Sequence, residues 1–163
     1  MKPAEASLPS DTEVLVKRSF DAPVKLVWRA YMEADLLRRW CLGPPGWSMP
    51  VCEMEMRVGG KYRWRWRSDE DGQEFGFTGE VLEVVTHSRI VHTQVYDPGS
   101  LGVSMGNEPY IVSVTFQEVN GITNVTTTIT FASKADRDAA FSTGMTDGME
   151  MSYKLLDGVL AEG

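Results

Sequence analysis

Cysteine, histidine and net positive charge are all scarce in this sequence. Its two cysteines, Cys41 and Cys52, fit no C-x-x-C spacing, so reduced thiols in a cytoplasmic protein are expected rather than a disulfide framework. Its two histidines, His87 and His92, offer no metal set of the usual kind. No run approaches the roughly 20 apolar residues a membrane helix requires. The opening MKPAEASLPSD holds one lysine and lacks the apolar core of a secretory leader. Lys and Arg number 16 against 23 Asp and Glu, a net charge of −7. That balance argues against a general polyanion binder, because nonspecific nucleic-acid affinity rests on neutralising phosphates. G-x-S-x-G, P-loop and dinucleotide fingerprints are missing too. Neither a cofactor nor a metal is expected.

With 163 residues, 42% of them hydrophobic, the chain has the length of one domain and buries enough surface to need no staples. Residues 1–11 are small, polar and proline-bearing, and read as a flexible tail before a single domain over 12–163. Glu13–Phe20 alternates and predicts a strand. Asp21-Ala22-Pro23 then opens a helix, with Asp21 as its cap and Pro23 in its first turn. A second short helix is expected over Ala34–Trp40, stopped by Gly43-Pro44-Pro45-Gly46. From Trp47 to Phe131 the period is two, predicting strands near 48–56, 60–67, 74–85, 89–96, 109–118 and 123–131. Tight turns such as Gly59-Gly60 and Asn120-Gly121 join them into an antiparallel meander. The glycine-rich segment 97–109 reads as a mobile loop, and as one surface through which a monomer could become a homodimer.

Ser133–Ala161 changes period. Ser133 with Asp136 forms a capping pattern, and Phe141, Met145, Met149, Leu156 and Leu160 share a stripe, predicting one long helix. Gly144 and Gly148 inside it each cost about 1 kcal/mol against alanine, which suggests a bend or a close backbone approach.

The stretch Lys61–Arg67, KYRWRWR, alternates basic and aromatic residues throughout. Arginines for phosphates and tryptophans for stacked bases would make it a nucleic-acid platform. A strand, however, sends successive side chains to opposite faces. Tyr62, Trp64 and Trp66 then share one face, and the cations share the other with Glu53, Glu55, Glu74 and Glu80 on neighbouring strands, as a solvated sheet face would. The aromatic row must be covered, and the long helix is the element expected to cover it. No nucleic-acid partner is expected.

Strand, two short helices, meander, long helix: this order, with FDAPVKLVWRAY, LLRRWCLGPPGW, EMRVGGKYRW, FTGEVLEVVTHSRIVHT, VSVTF and DGMEMSYKLLDGVL in sequence, resembles the START-like (SRPBCC) superfamily. Within it the chain is most similar to domains like the activator of heat-shock protein 90 ATPase. The resemblance implies an α+β helix-grip fold: a curved antiparallel sheet of six or seven strands wrapped around one C-terminal helix, with a cavity between them. It also implies ligands such as lipids, sterols, plant hormones or polyketides, or none. One departure is Gly148-Met149, where the family's last helix usually has Gly-Trp.

A dry cavity of about 300 Å³ would cost near 7 kcal/mol, comparable to a domain's whole stability, so such a space is filled by side chains, water or ligand. The candidate lining is Trp40, Tyr62, Trp64, Trp66, Phe75 and Phe77, with Met145 and Met149 from the helix. His92, Gln94 and Ser152 are the candidate polar anchors; Gly79 leaves room for a ligand or marks a bulge. The reading that follows is noncatalytic binding of a small apolar or aromatic molecule. The alternatives are a co-chaperone partnered with the chaperone, though that activator's separate N-terminal chaperone-binding domain is not expected here, and a cyclase- or hydrolase-like enzyme using His92.

Overall fold

The computed structural model describes residues 1–97 and 109–163; the loop expected between Asp97 and Pro109 lies outside the described residues. Among these, the strands are β1 (Glu5–Ser7), β2 (Glu13–Phe20), β3 (Trp47–Met54), β4 (Lys61–Ser68), β5 (Glu74–Val85), β6 (Arg89–Asp97), β7 (Tyr110–Val119) and β8 (Ile122–Thr130). The helices are α1 (Val24–Met32), α2 (Ala34–Trp40), α3 (Lys134–Phe141) and α4 (Met145–Ala161). All eight strands form one antiparallel sheet in the order β1-β2-β8-β7-β6-β5-β4-β3. This is the α+β helix-grip arrangement. The meander β3–β8 is closed on its far side by β2, which pairs along its whole length with β8 from Glu13↔Thr130 to Phe20↔Thr123.

Local chemistry explains most joints. Asn120 and Gly121 both have positive φ, 54° and 79°, the backbone that an Asn-Gly hairpin turn supplies between β7 and β8. Ser133 caps α3 by accepting from the Asp136 N–H at 3.1 Å. Inward-facing Val14, Val16 and Phe20 of β2, Val112, Val114 and Phe116 of β7, and Val125 and Ile129 of β8 build the core with Leu156 and Tyr153 of α4.

Four expectations need correction. Residues 1–11 are not all tail: Glu5–Ser7 pair with Leu15–Lys17 as an edge strand, and the Ala4 N–H donates to Glu150 of α4 at 2.8 Å. Asp21 does not cap α1; the Val24 N–H is taken by the Glu118 carboxylate at 2.7 Å, supplied from the end of β7. The C-terminal segment is two helices, because Gly144 adopts a left-handed φ of 80° and breaks it. Phe141, placed on the apolar stripe by an unbroken helix, is exposed as a result. Gly148 is not a close approach, since a Cβ there would meet nothing.

Arg18 occupies an inward position of β2 between Val16 and Phe20, its side chain 2% exposed. It donates to Glu150 at 3.1 Å and to Asp157 at 2.8 Å, both on α4. Burial works against its charge, but the hydrogen bonds to Asp157 and Glu150 prevail and raise its pKa. This network fixes α4 to the β2 side of the sheet, where its other chief neighbours are α2, α1 and α3.

Candidate functional site

Strand periodicity turns the aromatic row of β4 inward. Tyr62 is 4% exposed and Trp66 7%, while Trp64 between them is half-buried. Lys61, Arg63 and Arg67 are exposed on the opposite face, with Glu80 and Glu53 across from Lys61 and Arg63. Arg65 is tied to Glu74 at 3.3 Å and Asp97 at 2.5 Å; Glu55 pairs with Arg57 instead, at 2.8 Å. At Trp66 the row meets the end of α2, while its tryptophans and α4 share one hydrophobic core. The Trp66 indole N–H donates to the Cys41 carbonyl, just past α2, at 2.6 Å.

Cross-strand register places Trp64 opposite Phe77 and Trp66 opposite Phe75, and Phe77 opposite Tyr96. Their rings interlock. Trp66 stacks on Phe75 at 5.3 Å and meets Phe77 edge-on at 5.6 Å, and Trp64 lies 4.3 Å from Tyr62. Trp64, Phe75 and Phe77 nevertheless stay half-buried, as do Cys52 and Met54 on β3. Met145 and Met149 are half-buried on α4 and pack against the core.

Tyr62 stands opposite Gly79, and a Cβ on Gly79 would fall 2.5 Å from the Tyr62 ring and 2.1 Å from the Thr93 carbonyl oxygen. The missing side chain lets Tyr62 lie across β5 and reach β6. Its hydroxyl donates to the Thr93 carbonyl at 2.6 Å and sits 2.9 Å from His92 Nδ1. The ladder is shifted there, between Val81 and Glu83, and the Glu80 N–H bonds Thr93 Oγ1 at 2.9 Å. Gly79 is thus a close approach beside a bulge. Gln94 continues the polar chain, donating to the Tyr110 hydroxyl at 3.2 Å. Burial pushes Tyr62 well above the ordinary phenol value and Tyr110 up to about 12.

His92 is 6% exposed, and burial holds its pKa below the usual 6.5 against the opposing pull of the Thr93 carbonyl. The sign of the consequence follows. Between 6.5 and the lower folded value the unfolded chain binds a proton that the folded chain refuses. This contribution is fully present above pH 6.5 and is lost as pH falls through that window. Denaturant unfolding at about pH 7.5 and 5.5 checks it: wild type loses more stability than His92→Gln, and equal losses would contradict a buried neutral imidazole.

Two sequence candidates stand apart. Trp40 is core: its indole donates to the Ala30 carbonyl at 2.9 Å and its ring lies between Tyr31 and Tyr153. The Ser152 hydroxyl accepts from the Gly43 N–H at 2.8 Å, pinning the loop after α2 to α4. Trp40 and Ser152 are therefore engaged by protein, whereas Tyr62, Trp64, Trp66, Phe75, Phe77, His92 and Gln94 come together on the inner face of β4–β6. Sequence reading puts Tyr96 on the face of His92 and Gln94 without counting it as lining, and it missed Met54, which stands opposite Tyr62. Burial and then the neighbouring Cys52 push the Cys41 thiol up to about 12, which disfavours the thiolate that a nucleophile needs. Among the described residues no group of His, Cys, Asp and Glu could hold a metal ion, and no helix is long and apolar enough to cross a membrane.

An open groove of about 650 Å³ adjoins the Tyr62 end of the aromatic cluster, lined by Met54, Tyr62, Gly79 and Thr93 as well as by the charged Glu53, Lys61, Arg63 and Glu80. Its walls are part charged and part shared with the Tyr62 cluster. On the inner face the large rings of Trp64, Phe75 and Phe77 remain partly uncovered.

The family model described as Activator of Hsp90 ATPase homolog 1-like protein matches residues 21–161. A Rhodobacter sphaeroides protein of known crystal structure is 28% identical, with 98% of this chain and 99% of that one covered at a TM-score of 0.88. A Chromobacterium violaceum protein is 25% identical over 91% of this chain and 96% of its own, at 0.76. The solution structure of an AHSA1-like protein from Aeromonas hydrophila, 20% identical over 90% and 93%, agrees in fold at 0.70. No curated protein matches the chain.

Proposed function

We propose, for a chain that belongs to the Activator of Hsp90 ATPase homolog 1-like family, that it binds a small hydrophobic or aromatic molecule on the inner face of β4–β6 without transforming it. One observation carries this reading: Trp64, Phe75 and Phe77 point inward and yet stay only half-buried. Apolar surface left in water forgoes about 25 cal/mol per Å², so a fold that turns large rings inward and leaves them partly open is suited to an apolar guest. Half-buried Met145 and Met149 on α4 pack against the same hydrophobic core and add adaptable apolar surface. The noncatalytic part is supported by His92, whose Nδ1 is taken up by Tyr62 and Thr93 rather than held for proton transfer.

Native mass spectrometry of gently purified protein tests the reading. The expected spectrum carries an added small-molecule mass that denaturing conditions strip away; a bare chain under both conditions contradicts it. The family's description favours a second reading, an activator of the chaperone's ATPase. That reading requires the purified chain to raise the chaperone's ATP turnover, and an unchanged rate rejects it.

A further inference from the structure

Two polar atoms inside the aromatic cluster lack protein partners, and they are of opposite kind. The first is an acceptor. The Thr93 carbonyl can only accept, and it lies 2.6 Å from the Tyr62 hydroxyl and 3.0 Å from His92 Nδ1. Both neighbours must therefore present hydrogens to it, or a lone pair of Nδ1 would face a lone pair of the carbonyl. That puts the imidazole proton on Nδ1 and leaves Nε2 as a bare acceptor. Among the described residues no hydrogen bond reaches Nε2, in a side chain that is 6% exposed. The second is a donor: the Trp64 indole N–H is buried and has no partner. The two rings face each other nearly at right angles, 6.0 Å between centroids. A buried donor without a partner, such as the Trp64 N–H, is rare in native folds and costly, so it asks for one, and Nε2 stands near it as a free acceptor.

Resting on the apolar-binding reading above, we infer that the bound molecule carries a hydroxyl group, which donates to His92 Nε2 and accepts from Trp64 Nε1. A hydroxyl has both functions on one oxygen and suits two rings whose centroids are 6.0 Å apart. A hydrocarbon leaves both unpaired. A carboxylate offers no hydrogen to Nε2 and carries a charge into a site walled by rings. The selected class is a neutral phenol or alcohol on an apolar frame.

Calorimetric titration of the full-length chain with 1-naphthol, naphthalene and 1-naphthoate separates the outcomes. Each hydrogen bond is worth a few-fold to about tenfold in affinity, so with two of them naphthol is expected to bind more tightly than the other two by about tenfold or more. Trp64→Phe keeps a ring and removes the donor, and is expected to shrink that preference severalfold. A readout on the wild-type chain guards against a poorly folded variant: the Trp64 indole N–H resonance should move with naphthol and stay with naphthalene. Equal affinity for all three probes, tighter binding of naphthoate, or an unmoved indole signal overturns the hydroxyl inference and leaves apolar binding standing. Failure of every probe to bind overturns both.

Discussion

Replacing Glu150 and Asp157 together by Gln and Asn is expected to cost about 3–5 kcal/mol in denaturant unfolding, because it strands a buried guanidinium. Arg18 is held by these two carboxylates, with its side chain 2% exposed. Their charges are more accessible, 16% exposed for Glu150 and 36% for Asp157. Removing Arg18 instead lets the carboxylates turn to water, and Met fills the inward space between Val16 and Phe20 with apolar atoms. Arg18→Met is therefore expected to cost far less than the paired amide change, and adding it to that change should recover most of the loss. A triple variant as unstable as the double one would show that the cation is not the source of the cost.

Trp66→Ala is expected to destabilise by about 3–5 kcal/mol, while Arg63→Ala three residues earlier on the same strand stays within about 0.5 kcal/mol. Trp66 is buried, packs on Phe75 and Phe77, and its N–H satisfies the Cys41 carbonyl. Arg63 is exposed and makes no ion pair among the described residues. The contrast isolates orientation from sequence neighbourhood. Comparable losses at the two positions in urea unfolding would contradict the inward row.

The alternation in KYRWRWR was enough to orient β4, since period two assigns faces without knowledge of partners. The limits of α2 and β5 were equally legible, bounded by residues that stop them. What escaped was long-range. β1 has no apolar pattern to read, as Glu5, Ala6 and Ser7 are all exposed; backbone pairing to Leu15–Lys17 holds it. The Glu118 cap on α1 comes from a strand distant in sequence. Gly144 was recognised as costly inside a helix, but its left-handed φ, which divides α3 from α4, is a choice of the folded chain. Arg18 was readable in principle: it has the inward parity of Val14, Val16 and Phe20, an anomaly whose partners lie on α4. Within the site, His92 and Gln94 were visible as one face of one strand. Their link to Tyr62 was not, because it depends on the space left by Gly79 and on the shifted β5–β6 ladder. Trp40 and Ser152 looked like lining residues by type and stripe, yet their polar atoms serve Ala30 and Gly43.

Hydroxyl-radical footprinting, with and without 1-naphthol, tests the inward and receptive ring surface most directly. The account predicts protection of Tyr62 and Trp66 in the free protein, intermediate oxidation of Trp64, Phe75 and Phe77, and a drop at Trp64 and Phe77 when naphthol is added. Full oxidation of Tyr62 and Trp66, or rates at Trp64 and Phe77 indifferent to naphthol, would contradict it.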